Sequence, residues 1–391
     1  MFIGIMPSEL RGMGSEEEDD RCSYNGEGKM SQKAILVLED GSVYEGYSFG
    51  ADTFTYGEVV FNTSMTGYQE MLTDPSYAGQ ILVTTYPLMG NYGISDQAFE
   101  SRRIQVRGFA VREICQQPSH WQSAATLDRF LADSGMPGIY GVDTRAITRR
   151  LRFQGVMMGA IACDRSSQEA LEQLRNLPRY DVADFVREVT TERPYKWEPS
   201  DSESGPHIVV LDCGLKYNIL RILRRMGCQV TVVPCTYSAD DILRLEPDGL
   251  LLSPGPGDPA LLDYIVETIK SLVGAKPIMG ICLGEQLLGK AFGARTFKLK
   301  FGHRGGNHPV RDLESGRVHI TAQNHGYAVD ADTLKNGLEV SHINLNDGTV
   351  EGLCHRDLPI ISIQYHSEAS PGPQDNMYLF DRFLEMVRGG A

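Results

Sequence analysis

"KPIMGICLGEQLLGKAFG", residues 276–293, carries a short apolar run into a helix-like one across a glycine-flanked turn. "IMGI" reads as a strand buried on both faces, and "EQLLGKAFG" spaces its apolar residues for a helix. Between them sits Cys282, with Gly280 and Gly284 two positions to either side. Free cysteine is among the most buried residue types, so a thiol beside an apolar run is by default a core filler. Its position argues the other way. Parallel α/β sheets gather ligands at the carboxyl ends of their strands. A strand-to-helix elbow presents its central side chain there, against a helix N-terminus that stabilises a thiolate.

The same alternation extends to both sides of that stretch. From residue 207 the chain reads strand "HIVVLD", helix "KYNILRILRRMG", strand "QVTVVP", short helix "ADDILRLE", strand "GLLLSP" and helix "ALLDYIVETIKSLVG" before reaching it. Several antiparallel-looking strands and a last helix, "DNMYLFDRFLEMVRG", follow. Continuous apolar strands alternating with amphipathic helices imply an α/β domain, 207–391, with a parallel sheet covered on both faces. Ahead of it, 33–162 reads as an α+β unit of short strands ("AILVL", "GEVVFNTS", "QILVTTYP", "QVRGFAVREI", "VMMGAIA"). Residues 163–206 read as a helix, "SSQEALEQLRN", and then a linker, "TERPYKWEPSDSESGP". Residues 1–32 read as a disordered extension without a signal peptide, and translation starting at Met30 is an alternative to Met1.

With 391 residues the chain exceeds one ordinary core. Its net charge of −14, with no basic stripe interleaved with aromatics, argues against nucleic acid as a partner. No stretch is apolar enough for a membrane helix. Eight scattered cysteines form no C-x-x-C pair, which points to reduced thiols, a cytoplasmic location and no metal.

A nucleophilic thiol needs a base. "ISIQYHSEAS" supplies His366 and Glu368, and in an extended segment residues two apart project to one side, so Glu368 can orient His366 toward Cys282. Alone, a histidine near a strand end is more often a surface residue. In "LLSPGPGDPA" a strand ends in alternating Gly and Pro, leaving the Gly255 N–H to face a ligand. With the Leu283 N–H it would form a pair of oxyanion donors. The competing reading is an ordinary Pro-Gly turn.

These three segments resemble class I, triad-type glutamine amidotransferases: "GICLGEQ" their nucleophile elbow, "SPGPGDP" their oxyanion strand, "QYHSEAS" their His and Glu segment. The resemblance implies that Cys282 attacks the γ-carboxamide of glutamine, that His366 carries protons, that Glu368 supports it, and that a γ-glutamyl thioester is hydrolysed. "GEVVFNTSMTGYQEMLTDPSYAGQILVTTYP", "GVDTRAITRRLR", "GHRGGNHPV" and "ITAQNHGYAVD" are further similar to the small, glutamine-hydrolysing subunits of carbamoyl phosphate synthetases, from about Lys33 to Val387. That likeness implies a swivelling β/β/α N-terminal domain before a flavodoxin-like amidotransferase domain. It implies a glutamine pocket of Ser64, Gly255, Gly257, Leu283, Gln286, Asn324, Gly326 and Tyr327. It implies a large partner subunit, in a heterodimer or a higher assembly of heterodimers, which binds ATP, Mg2+ and K+. This chain itself would need no cofactor. Its ammonia would serve carbamoyl phosphate synthesis for arginine and pyrimidines.

Three positions depart from the family's usual residues: Glu285 replaces His or Asn, Ser367 replaces Pro, and Tyr327 replaces Phe. A carboxylate at 285 turned toward the thiol would disfavour the thiolate, whereas one on the outer face of the helix only complements its dipole. The outer face is expected. Other readings are an amidotransferase subunit of another synthase such as anthranilate synthase, a scaffold with a dead pocket, or a free-standing cysteine hydrolase.

Overall fold

The computed structural model describes residues 32–197 and 205–389. The expectations for the N-terminal extension and for the polar run 198–204 lie outside the described residues.

Seven strands of the first domain close into a barrel. They are β1 (Lys33–Leu38), β2 (Val43–Gly50), β3 (Thr55–Asn62), β4 (Gln80–Thr84), β5 (Gly108–Val111), β6 (Pro137–Tyr140) and β7 (Met157–Cys163). Around the barrel the order is β1-β2-β6-β5-β4-β3-β7, and β7 pairs back onto β1. The strand period of two sorts neighbouring side chains into two cores. Val59 and Phe61 join Leu36, Ile81 and Val83, to which the helix Thr144–Gln154 adds Ile147 and Leu151. Val60 joins Leu82, Phe109 and Met71.

Residues 164–197 are more than a tether. A reciprocal cap between Ser166 and Glu169 opens the helix Ser167–Arg175. Tyr180 then stacks on Phe185, centroids 4.8 Å apart. The segment ends in an edge strand, β8 (Tyr195–Lys196), of the second sheet, where pairing with a long apolar strand satisfies a backbone that composition alone reads as loop.

The second sheet continues with β9 (His207–Asp212), β10 (Gln229–Pro234), β11 (Gly249–Leu252), β12 (Ile278–Ile281), β13 (Thr296–Asp312), β14 (Val318–Val329), β15 (Leu338–Asn344), β16 (Val350–His355) and β17 (Ile360–Ile363). Its parallel part runs β10-β9-β11-β12-β17, the 2-1-3-4-5 order of a flavodoxin-like domain. Beyond β17 the sheet turns antiparallel through β16, β15, β13 and β14. Both faces are covered: Leu250 and Leu252 pack with Ile265, Ile269 and Leu287, and Leu251 packs with Ile219, Leu223, Phe380 and Phe383. The loops after β9, β11, β12 and β17 therefore open on one edge, carrying Lys216, Gly255, Cys282 and His366. Among the described residues no helix is long and apolar enough to cross a membrane.

Candidate active site

Cys282 occupies the elbow between β12 and the helix Leu283–Ala291, with φ 54° and ψ −107°. A non-glycine residue held there stores strain, of order 1–3 kcal/mol. Three hydrogen bonds hold it: its N–H donates to the Ile363 carbonyl of β17 (2.7 Å), and its own carbonyl accepts from the N–H groups of Glu285 (3.0 Å) and Gln286 (3.2 Å). The turn is this tight because Gly284 lies against β11, where a Cβ would stand 2.3 Å from the Leu252 carbonyl oxygen. The thiol is 2% exposed. It lies 3.8 Å from the Asn324 carbonyl.

His366 and Glu368 meet as the sequence suggests, though not by extension. His366 makes one isolated bridge to Ala322 and the chain then turns. The turn still brings Glu368 Oε1 to 2.6 Å from His366 Nδ1. Nε2, the nitrogen left for a reacting group, has no hydrogen-bond partner. Burial and then the Lys216 charge oppose the imidazolium, but the Glu368 carboxylate carries His366 up to about 10. Burial likewise opposes the Glu368 carboxylate, and Lys216 and His366 hold it down to about 2.

Sequence reasoning missed Lys216. Its Nζ stands 3.1 Å from Glu368 Oε1, with both side chains no more than 3% exposed. It also donates to the Ala369 carbonyl. Its place just past β9, on the ligand-binding edge, was the available signal. Glu100, contributed by the barrel domain, was missed as well. This buried carboxylate accepts from Ser370 Oγ (2.7 Å), Arg221 Nη1 (3.0 Å) and the Asn218 N–H (2.9 Å). Asn218 Nδ2 in turn donates to the Glu368 carbonyl (2.6 Å), so the first domain grips the loop that carries the His–Glu pair.

A narrow cleft opens at the thiol. Of the expected pocket residues, Gly255, Gly257, Gln286, Asn324, Gly326 and Tyr327 line it with Cys282. Leu283, the first residue of the helix Leu283–Ala291, and Ser64 lie outside the lining, the Ser64 N–H held by Asn62 Oδ1 at 2.7 Å. Gly255 has no room for a side chain, because a Cβ would stand 2.1 Å from the Cys213 carbonyl oxygen and 2.7 Å from Leu283 Cδ2. Gln286 Nε2 donates to the Tyr327 carbonyl (2.9 Å) and to Gln364 Oε1 (3.0 Å). Asn324 Nδ2 donates to Asp74 Oδ2 of the barrel (3.0 Å), and the Gly257 N–H to Tyr180 Oη (3.0 Å). The opposite wall, unanticipated, is Glu58, Ser76, Gln80, Tyr180 and Arg304. Here Ser76 Oγ, Gln80 Oε1 and Arg304 Nε are buried without partners.

Glu285 is not on the outer face. It is fully buried, and neither carboxylate oxygen has a hydrogen-bond partner. The helix packs against the sheet on the side where this residue falls, so there is no solvent face at that position. Burial, then the charge of Glu351, pushes its carboxyl well above the usual carboxylate range. Ser367 is also fully buried, its hydroxyl unpartnered.

His303, His325 and Glu351 bring potential metal-ligating atoms within 4.8 Å of one another. Those atoms are already engaged. His325 faces the Tyr327 carbonyl (2.8 Å) and Gln323 Oε1 (2.9 Å), His303 faces Asp347 (2.8 Å), and Glu351 accepts from Asn344 (2.7 Å) and Gln323 (2.9 Å). The arrangement is that of a hydrogen-bond network behind the cleft.

Comparison with known proteins agrees with both halves of this architecture. Residues 209–386 match the family model "Glutamine amidotransferase class-I", and residues 36–161 match "Carbamoyl-phosphate synthase small chain, CPSase domain". The carbamoyl phosphate synthase small chain of Staphylococcus epidermidis is 52% identical over 363 residues, which span 92% of this chain and 97% of that protein. The chain belongs to the carbamoyl phosphate synthase small-chain family. Members from distant organisms are about equally similar. The small chain of Methanopyrus kandleri is 51% identical over 91% of this chain and 99% of its own, and that of Solidesulfovibrio magneticus 49% over 91% and 98%. The family's two domains thus correspond to the barrel and the flavodoxin-like sheet whose seam holds the cleft.

Proposed function

We propose that the cleft hydrolyses glutamine through Cys282, His366 and Glu368 and that the ammonia passes to a large, ATP-using synthetase subunit. The observation that carries this reading is the buried cysteine on a strained elbow beside an imidazole whose Nδ1 is fixed by a carboxylate and whose Nε2 is unpaired. The thiolate attacks the γ-carboxamide carbon and forms a C–S bond. The C–N bond then breaks as His366 Nε2 gives its proton to the departing ammonia. Water, losing a proton to the same nitrogen, cleaves the thioester to glutamate. The N–H groups of Gly255 and Leu283 stabilise the oxyanion. Glu368, itself held by Lys216, stabilises the imidazolium and fixes its orientation.

Glutamine is a zwitterion with an amide tail. The polar wall of Asn324, Gln286, Tyr327 and Arg304, with the unpaired Ser76 hydroxyl, suits its ends. Ser64, in the first domain, takes part on this reading only when the seam tightens around the ligand. ATP, Mg2+ and K+ belong to the partner, in a heterodimer or an assembly of heterodimers, and the product serves arginine and pyrimidine synthesis.

The test uses the complex with the large subunit. Cys282→Ser abolishes carbamoyl phosphate synthesis from glutamine and leaves synthesis from added ammonia near the unmutated rate. Retained glutamine-dependent synthesis, or loss of the ammonia-dependent rate in a folded complex, overturns the reading. Full glutamine hydrolysis coupled to no synthesis would favour a free-standing hydrolase.

A further inference from the structure

Glu285 takes no part in the chemistry above, yet it lies in the first turn of the nucleophile helix, fully buried, with both oxygens unpaired. The facing strand β16 carries Glu351, equally buried. Two carboxylates in one dry region cannot both ionise without a large cost. The donors assign the proton. Glu351 Oε1 accepts from Asn344 Nδ2 (2.7 Å) and Oε2 from Gln323 Nε2 (2.9 Å), with His303 Nδ1 3.4 Å from Oε1. Beside Glu285 lie the Ser362 hydroxyl and, on the same strand's extension, the Tyr365 phenol, yet neither carboxylate oxygen has a hydrogen-bond partner. The carboxylate whose lone pairs are filled keeps the charge, and the bare one keeps the proton.

We propose that ionised Glu351 holds Glu285 as a neutral acid, and that in this form Glu285 is a positioning residue that leaves the positive end of the nucleophile helix to Cys282. The proposal rests on the reading of Cys282 as nucleophile. Residues 282 and 285 are one helical turn apart, so an ionised Glu285 would compete with the thiolate for the same amide dipoles and repel it. Burial and the Glu351 charge act on the Glu285 carboxyl in the direction the donors require. Behind Glu351 stand His303, raised by its two acidic neighbours against its burial, Asp347, and His325, which burial keeps well below the usual imidazole range. The inward glutamate is thereby reconciled with a working thiol.

The experiment follows alkylation of Cys282 by iodoacetamide in the full chain, located by mass spectrometry, against pH. Glu285→Gln replaces a neutral acid by a neutral isostere, so its profile superimposes on the unmutated one to within about twofold at neutral pH. If Glu285 were ionised, the substitution would remove a negative charge beside the thiol and speed alkylation at pH 7 by about tenfold. That acceleration would overturn the proposal. Should the glutamine variant not fold, Glu285→Asn gives the same comparison. Infrared spectra of the unmutated chain supply a second reading. A protonated-carboxyl C=O band at neutral pH that is missing from the Glu285 variant supports the proposal, and an unchanged band refutes it. Failure of the nucleophile reading would show separately, as glutamine hydrolysis surviving in Cys282→Ser.

Discussion

Glu368→Gln tests how much of the site's stability and rate passes through one carboxylate oxygen. Glu368 Oε1 is shared by His366 Nδ1 at 2.6 Å and Lys216 Nζ at 3.1 Å, and all three side chains are almost wholly out of solvent. Removing the charge leaves a buried ammonium with the Ala369 carbonyl and no counter-charge in contact. Breaking a buried pair in this way costs about 3–5 kcal/mol.

The pH dependence has a definite sign. His366 is raised from 6.5 to about 10, so its contribution is complete below 6.5 and is lost as pH rises toward 10. Glu368 is lowered from 4.5 to about 2, so its contribution is complete above 4.5 and is lost as pH falls toward 2. Both act fully between those two unfolded values. Urea denaturation of the unmutated chain therefore shows stability declining from pH 6.5 upward, and Glu368→Gln is less stable on the plateau with a flatter decline. Glutamine turnover falls by roughly 10³-fold or more, since the imidazolium loses its stabilising partner. A plateau loss under about 1 kcal/mol, or an unchanged slope above pH 6.5, would refute this reasoning.

Two further outcomes concern the walls of the cleft. Gly255→Ala forces a methyl group toward the Cys213 carbonyl, 2.1 Å from its ideal position, and should displace the proposed oxyanion donor. Turnover drops by about 10²-fold or more while melting falls by about 1–3 kcal/mol equivalent, checked by glutaminase assay and thermal denaturation. Lys298→Met breaks the 2.7 Å pair with Glu58 across the domain seam, and because the lysine is 38% exposed only about 1 kcal/mol of stability is lost. KM for glutamine rises in steady-state assays, since Glu58 lines the cleft, and unchanged KM would remove that glutamate from ligand placement.

The parts of this structure that follow from local pattern were readable in the chain. Alternating apolar strands and amphipathic helices gave the parallel sheet, and the Gly-x-Cys-x-Gly elbow, the Pro-Gly turn and the His-x-Glu spacing are each written within a few residues. What stayed hidden depends on side chains meeting over long separations. Lys216 reaches Glu368 across 152 positions and Asn324 reaches Asp74 across 250, and nothing local to Lys216 or Asp74 names the residue it meets. Tyr195 and Lys196 looked like loop because a two-residue edge strand is defined by the strand it joins. Glu285 was misread for a related reason. First-turn acidity is a local preference, but which face of a helix is dry is decided by the sheet beneath it.

The cleft has one wall from each domain, with Glu58, Ser76 and Gln80 facing Cys282, Gln286 and Asn324. A ligand bound there is glue between two bodies. Filling such a site to a hundred times its dissociation constant adds about 2.7 kcal/mol to whatever already holds the seam shut. Reciprocity makes the relation run both ways: any load that pries barrel from sheet weakens the grip on that ligand, and any contact that presses them together tightens it. On the proposed function, a neighbouring subunit sets the pace of the thiol without touching it, by leaning on the barrel.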